Sequence, residues 1–119
     1  MKLYVDDVRE APEGWTVART FEEAMRHIAT GKVSHLSLDH DLGAEGTETG
    51  YDILKMIERA MLQVGFTPPP VIKIHTANPA GHKNMKLALE SINKLKKAAD
   101  KSNPNQQKKK KKRKHNAKS

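Results

Sequence analysis

Short apolar runs alternate with longer amphipathic segments between the N-terminus and residue 100. The runs are rich in β-branched and aromatic residues and are bounded by polar, proline or glycine residues, as is typical of β-strands. We predict four strands, at residues 2–5, 15–19, 36–38 and 71–75. We interpret the third run as a short buried strand that ends in Leu38.

Three segments instead repeat their apolar residues at the spacing of an amphipathic helix. The first begins after Thr20, a favourable N-cap, and Gly31 ends it. The other two helices are predicted at residues 51–64 and at about residues 83–99. The remaining segments, which we predict as loops or turns, are residues 8–14, 44–50 and 76–81.

Strands that are separated by helices pair in parallel through right-handed crossovers. The predicted order of elements therefore indicates an α/β fold with a four-stranded parallel sheet and helices on its faces. A flavodoxin-like arrangement places strand one beside strand three and strand four beside strand three, which gives the order 2-1-3-4. The connection between the first two strands has about nine residues, near the lower limit for a parallel crossover.

The net charge of +8 is distributed unevenly between two parts of the chain. Residues 101–119 carry nine Lys or Arg and no acid, whereas residues 1–100 have a net charge of −1. We predict a globular domain at 1–100 and a disordered lysine-rich tail at 101–119, because the tail has almost no apolar residue to bury. Cysteine is absent, which excludes disulfides and thiol catalysis.

The tail contains a basic block that neutralises phosphates, without aromatic residues for base stacking. We expect sequence-independent, salt-sensitive binding of polyanions such as RNA or DNA; nuclear import or a purely solubilising role are the alternatives. Since no apolar run could span a bilayer, we expect a soluble cytoplasmic protein, monomeric or weakly dimeric, with no membrane partner. The predicted nucleic-acid-binding residues are Lys108, Lys109, Lys110, Lys111, Lys112, Arg113 and Lys114.

Acidic side chains follow two of the predicted strands. Asp6 and Asp7 come directly after the first strand, and Asp39 comes directly after the third. The carboxyl ends of parallel strands meet at one edge of the sheet, where ligands bind in open α/β folds. Carboxylates this close repel one another unless a cation lies between them, and oxygen ligands favour Mg²⁺ or Mn²⁺. We therefore predict a metal site at these three residues; the alternative is that the acids cap a turn or are solvated.

The acid pair after strand one, the acid after strand three and the motif VIKIHTA at the fourth strand resemble a response-regulator receiver domain. The resemblance covers about residues 1–92. It implies a flavodoxin/receiver-like three-layer fold in which Asp6, Asp7 and Asp39 bind Mg²⁺. It further implies that Asp39 accepts a phosphoryl group and that Thr76 senses it. The sequence departs from receivers in lacking the first helix, the fifth strand and the lysine before that strand.

Two histidines accompany these departures, His40 in the motif DHDLG and His75 in the motif HTANPAG. Both motifs resemble the cyclic-phosphate-processing receiver-like family, a divergent and truncated relative of receivers. This resemblance implies activity on cyclic phosphates at nucleotide or nucleic-acid ends.

Opening a cyclic phosphate requires deprotonation of water, protonation of an alkoxide and stabilisation of a charged phosphorane. We predict a metal-dependent phosphohydrolase or phosphodiesterase with Asp39, His40 and His75 as catalytic residues, the two histidines serving as base and acid in either order. Thr76, Asn78 and Lys83 are predicted to bind phosphate. The alternatives are a non-enzymatic receiver or pseudo-receiver that uses Asp39 as phosphoacceptor, and a nucleic-acid-associated adaptor with a vestigial acid cluster.

Overall fold

The computed structural model describes residues 1–42 and 48–102 of the chain. Its four strands pair in parallel in the order β2-β1-β3-β4, with no fifth strand among the described residues. This confirms the receiver-like α/β fold and the strand order that the sequence predicts. The elements are β1 (Lys2–Val5), β2 (Thr16–Ala18), α1 (Phe21–Ala29), β3 (His35–Leu38), α2 (Gly50–Val64), β4 (Val71–Ile74) and α3 (Pro79–Ser102).

One face of the sheet forms the core. Leu3 and Val5 of β1 pair in register with Leu36 and Leu38 of β3, and all four side chains are fully buried. Each such side chain stabilises the fold by about 1.5–3 kcal/mol relative to an exposed one. The helices cover this face as a row in which α1 contacts α2 and α2 contacts α3. Their buried residues include Ile28, Ile53, Leu54, Ile57, Met85 and Ile92.

The opposite face of the sheet carries the alternate residues, among them Tyr4, Ser37 and Lys73, which are in register across β1, β3 and β4. The crossovers through α1 and α2 run in the same direction along the sheet, so right-handed connections put both helices on the core face. The β1–β2 connection runs the other way, and the Trp15 ring at its end lies against Tyr4. Among the described residues, this connection alone represents the third layer of the predicted fold.

The beginnings of α1 and α2 follow from the sequence. Thr20 caps α1 by accepting a hydrogen bond from the Glu23 N–H, and Thr49 forms a capping box with Asp52 at the start of α2. The helix α2 begins at Gly50, which the sequence analysis assigns to the preceding loop. It ends at Val64, and Gly65 caps it with a φ of 68°, the left-handed conformation that favours glycine.

The third helix begins earlier than predicted. Residues 76–81 are predicted as a turn, with the helix from about residue 83, whereas α3 begins at Pro79. The Asn78 side chain caps it by accepting a hydrogen bond from the Gly81 N–H at 3.0 Å. An Asn N-cap followed by Pro at the first helical position is a known start signal, and the glycine at 81 obscured it.

The chain's C-terminal part bears on the predicted domain boundary. The backbone of α3 continues to Ser102, two residues past the predicted end of the domain. The basic block at 108–114 lies outside the described residues, as do residues 43–47 of the loop after β3. None of the helices in the described part of the chain has the length and apolar character of a membrane span.

Candidate functional site

Three carboxylates come together at the carboxyl ends of β1 and β3. Asp6, Asp7 and Asp39 each offer one oxygen, and these oxygens all lie within 4.8 Å of one another. The register of the sheet causes this, because Val5 pairs with Leu38 and the Asp39 N–H donates to the Val5 carbonyl at 2.9 Å. The residues that the sequence predicts as metal ligands are therefore neighbours in the folded chain.

Asp6 is fully buried, and both of its carboxylate oxygens have partners. Oδ1 accepts hydrogen bonds from the backbone N–H groups of Val8 at 2.9 Å and Arg9 at 2.8 Å. Oδ2 lies 3.1 Å from His75 Nε2 and 3.9 Å from Arg9 Nε. Burial raises the pKa of Asp6, but the hydrogen bonds from Arg9, Val8 and His75 outweigh it, so the pKa lies below its ordinary value. Asp6 is ionised at neutral pH.

His75 follows β4 and reaches across β3 to the acid cluster. Its Nε2 faces Asp6, and its Nδ1 lies 2.7 Å from the Ser37 hydroxyl. Burial lowers the pKa of His75 in spite of the opposing effect of Asp6, so the ring is neutral at pH 7. Because the Asp6 carboxylate can only accept, Nε2–H donates to it, and Nδ1 accepts from the Ser37 hydroxyl.

The ring of His75 is held by packing as well as by hydrogen bonds. It stacks on Tyr4, with ring centroids 4.2 Å apart and an interplanar angle of 4°. Ser37 lies between the two strands that carry these rings, on the same face of the sheet. A serine is small enough to let the imidazole cross β3, and its hydroxyl fixes the orientation of the ring.

His40 is positioned by a different set of contacts. Its Nδ1 lies 2.9 Å from an oxygen of Asp41, and its backbone N–H donates to Asp39 Oδ1 at 2.8 Å. A Cβ on Gly81 would lie 2.5 Å from the His40 ring, so α3 can begin this close only with glycine there. None of the hydrogen bonds or ion pairs described joins the His40 ring to Asp6 or Asp7. The structure thus joins His75, but not the His40 ring, to the acid cluster through direct contacts.

Gly50 holds the other side of this loop. A Cβ there would lie 1.9 Å from the backbone oxygen of Asp39, and the Gly50 N–H donates to the His40 carbonyl at 2.9 Å. Two glycines therefore allow the N-termini of α2 and α3 to approach the segment that carries Asp39 and His40. The sequence shows both glycines, but their role depends on tertiary contacts.

The three predicted phosphate ligands lie at the start of α3. Thr76 Oγ1 accepts from the Asn78 N–H at 3.2 Å, and Asn78 Oδ1 is used to cap the helix. Thr76 keeps its O–H donor and Asn78 keeps its NH₂ donors for a ligand. Lys83 is exposed in the next turn. A helix N-terminus favours anions through its free N–H groups and its dipole.

Sequence reasoning missed the residues that hold these groups in place. Ser37 and Tyr4 fix His75, and the Arg19 guanidinium donates to the backbone carbonyls of Asp6 and Arg9, which fastens the β1–β2 connection. A signal for Ser37 exists in the sequence: it is a polar residue inside the apolar strand HLSL. By the two-residue period of strands it lies on the same face as Asp39.

The donor set fits a hard divalent cation. It consists of carboxylate oxygens alone, without thiolate and without imidazole among the three ligands. Opposite ligands of a Mg²⁺ ion lie ~4.2 Å apart, because each Mg–O distance is ~2.1 Å. The observed separations of up to 4.8 Å are close to that requirement. The positive groups near the cluster include Arg9, which is 3.9 Å from Asp6.

Comparison with protein families matches residues 1–91 to the family described as the cyclic-phosphate processing receiver domain. A search of curated proteins gave no match, and a search of solved structures gave none either. The matched segment covers all four strands, the acid cluster, both histidines and most of α3. The chain belongs to the cyclic-phosphate processing receiver domain family.

Proposed function

We propose that this protein is a metal-dependent phosphodiesterase that opens cyclic phosphates of nucleotides or of RNA ends. The observation that carries the proposal is the contact of His75 with Asp6, inside a cluster that also contains Asp7 and Asp39. An acid cluster alone would support only cation binding. An oriented imidazole beside it adds a group that can move a proton, and membership of the cyclic-phosphate processing family supports the substrate class.

The reaction adds water to phosphorus and breaks one of the two ester P–O bonds of the ring. The water loses a proton, and the departing alkoxide gains one, so the product is a phosphomonoester with a free hydroxyl. Asp6, Asp7 and Asp39 would hold Mg²⁺ or Mn²⁺, which when bound neutralises phosphate charge and lowers the pKa of water. The remaining steps fall to the side chains of the protein.

His75 is the first proton-transfer group. Asp6 fixes the proton on Nε2, so Nδ1, which accepts from the Ser37 hydroxyl at 2.7 Å, is the nitrogen whose lone pair can take a proton. This is the logic by which a carboxylate sets the tautomer of a catalytic histidine. His40, which is next to Asp39 and has its ring against Gly81 of α3, is the candidate for the opposite proton transfer.

Phosphate binding is assigned to the start of α3. The free donors of Thr76 and Asn78 and the helix N-terminus attract the non-bridging oxygens, and Lys83 supplies a cation one turn further along. The carboxylates alone would repel the negatively charged substrate. The N-terminus of α3, Lys83 and the bound cation would offset this repulsion.

The test incubates the full chain with Mn²⁺ or Mg²⁺ and a panel of 2′,3′-cyclic nucleotides, with phosphorus NMR to detect the opened monoester. We expect turnover that requires the metal and falls at least about 100-fold in Asp39→Asn and in His75→Ala, the range typical of lost general acid–base catalysis. Asp100→Asn, which removes the same charge from an exposed position of α3, is the matched control. Turnover that survives Asp39→Asn and His75→Ala contradicts the assignment.

The same acid cluster supports a second candidate, a receiver without enzymatic activity in which Asp39 accepts a phosphoryl group. Its carboxylate lies with Asp6 and Asp7, the arrangement that receiver chemistry requires. Within residues 1–42 and 48–102 the sheet has four strands, without the strand before which receivers carry their phosphate-sensing lysine. Stable phosphorylation of Asp39 by a small donor such as acetyl phosphate, detected by mass spectrometry, without turnover of cyclic nucleotides, would favour this candidate.

We further propose that residues 108–114 bind polyanions and bring the domain to nucleic acid. The support is compositional: seven consecutive basic residues on a domain whose own net charge is close to zero.

A further inference from the structure

The face of the sheet opposite the helices carries a strip of rings that the acid cluster does not account for. We call it the ring face and define it by Trp15, Lys2, Tyr4, His35 and Lys73. The strand register places these residues on one side of the sheet, because Tyr4 pairs with Val17 and Lys2 with His35, while Ser37 pairs with Lys73. All three described helices pack on the other side.

The rings form a continuous path. The centroids of Trp15 and Tyr4 are 6.2 Å apart, and those of Trp15 and His35 are 6.3 Å apart, both with edge-to-face geometry. Tyr4 in turn stacks on His75, which contacts Asp6. The path therefore runs from β2 to the acid cluster. Trp15, Tyr4 and His35 each keep part of their surface exposed.

The charges on the ring face are positive. Lys2 Nζ lies 5.9 Å from the centre of the Trp15 ring, and Lys73 is exposed on β4. Up to the strand ends, the strand positions on this face carry no Asp or Glu. The β1–β2 connection, which lies on the same side of the sheet, adds the exposed Arg9, Glu10 and Glu13. Proteins bind single-stranded nucleic acid with aromatic rings that stack on the bases and with basic residues that neutralise the phosphates.

The dimensions of the face fit a short nucleic-acid segment. Neighbouring strands are ~4.8 Å apart, so the distance from β2 to β4 is ~14 Å, which accommodates two or three nucleotides. We propose that the ring face is a base-stacking platform for single-stranded nucleic acid, with the end of the strand directed to the acid cluster. This proposal extends the proposed function, because it makes the substrate the end of a polymer rather than a free nucleotide. It rests on the proposed function only for the reaction at that end.

Trp15 is the sole tryptophan of the chain, so its fluorescence reports on the ring face without interference from another indole. The full chain is titrated with octa-uridylate and with octa-thymidylate, and binding is followed in parallel by the anisotropy of a fluorescein-labelled copy. We expect quenching of Trp15 that saturates together with the anisotropy. Inorganic polyphosphate, a polyanion without bases, is expected to bind with little quenching.

Substitutions separate stacking from charge. Trp15→Ala is expected to weaken oligonucleotide binding about tenfold, within the range measured for loss of one stacked base, while Trp15→Phe should stay within about twofold of the parent. Lys73→Ala should weaken binding more than Lys86→Ala, which removes the same charge from an exposed position on the helical side. The quenching of the unmodified chain keeps the test valid if Trp15→Ala folds poorly.

Unchanged Trp15 fluorescence at saturating oligonucleotide overturns the proposal, as does equal quenching by polyphosphate. Quenching by either oligonucleotide supports it, and a difference between the two would reflect the 2′-hydroxyl and the thymine methyl group together. The outcome is independent of turnover. Quenching of Trp15 without hydrolysis of cyclic phosphates would support the ring face as a binding platform and contradict the proposed reaction. Hydrolysis of cyclic mononucleotides without quenching of Trp15 would support the reaction and contradict the platform.

Discussion

At the scale of single residues, Ser37 controls the orientation of His75. Its hydroxyl is the partner of Nδ1, and Ser37→Ala would leave this partly buried nitrogen without a hydrogen bond. We expect kcat for cyclic-nucleotide opening to fall about 10- to 100-fold, the usual cost of removing an orienting partner, with KM little changed. Ser37→Cys, which keeps a weak hydrogen-bond donor at nearly the same size, should recover part of the loss.

A purely structural role of Ser37 would give another result. In that case Ser37→Ala would lower stability in urea unfolding and leave kcat unchanged in the folded fraction. The nitrogen-15 shifts of the His75 ring provide an independent check, because loss of the Ser37 hydrogen bond changes the environment of Nδ1 but leaves the bond from Nε2–H to Asp6 in place.

The two glycines beside Asp39 and His40 give a second prediction. Alanine favours helix over glycine by about 0.5–1 kcal/mol, so Gly81→Ala would stabilise α3 if nothing opposed it. Its Cβ would lie 2.5 Å from the His40 ring, which must move. We expect a net destabilisation of about 1–3 kcal/mol, typical of overpacking. Urea unfolding measures it, with Asn84→Ala in the same helix as control.

Gly50→Ala is expected to cost more than Gly81→Ala. Its Cβ would meet the backbone oxygen of Asp39 at 1.9 Å, and a backbone atom cannot rotate away as a side chain can. A smaller loss of stability in Gly50→Ala than in Gly81→Ala would contradict the close approach of α2 to the backbone of Asp39.

The acid cluster is predictable from the sequence because it depends on register alone. Strand ends of a parallel sheet coincide, so acids that follow strands one and three become neighbours. The contact of His75 with Asp6 is less predictable, since it requires the ring to cross β3 over a serine. The position of His40 against Gly81 depends on where α3 begins, which the sequence analysis placed about four residues too late.

At the scale of elements, the N-terminus of α3 is the part of the site most sensitive to its cap. Asn78→Ala removes the acceptor of the Gly81 N–H. We expect a loss of about 1 kcal/mol of stability and a rise in KM, because Thr76 and the helix N-terminus would no longer be held together. Asn93→Ala, an exposed position within the same helix, is the control. Equal effects of both substitutions would show that the cap does not organise the site.

At the scale of the whole molecule, the acid cluster couples metal binding to stability. Three adjacent carboxylates repel one another when no cation is present, so Asp39→Asn should raise the melting temperature in the presence of a chelator. A ligand at ten times its Kd stabilises the native state by about 1.4 kcal/mol. With Mn²⁺ the parent chain should therefore melt at the higher temperature, because only the parent gains the full stabilisation from bound metal. Differential scanning fluorimetry in both conditions tests the crossover, and parallel behaviour of the two chains would exclude a metal site at Asp39.

The division of charge between domain and tail gives the last prediction. The net charge is −1 for residues 1–100 and +9 for residues 101–119, so screened attraction to nucleic acid should come mainly from the tail. With about six phosphates contacted, the log–log slope of affinity against salt should be near −4 to −5. Replacing residues 108–114 by glutamine should reduce the slope to about −1 to −2, the part left to Lys2 and Lys73, yet leave turnover of cyclic mononucleotides unchanged. Base stacking on Trp15 releases no ions. In this variant Trp15 should therefore still be quenched at high salt, although a higher oligonucleotide concentration will be needed. Loss of mononucleotide turnover in the same variant would show that the tail is part of the active site, and that domain and tail do not act as separate units.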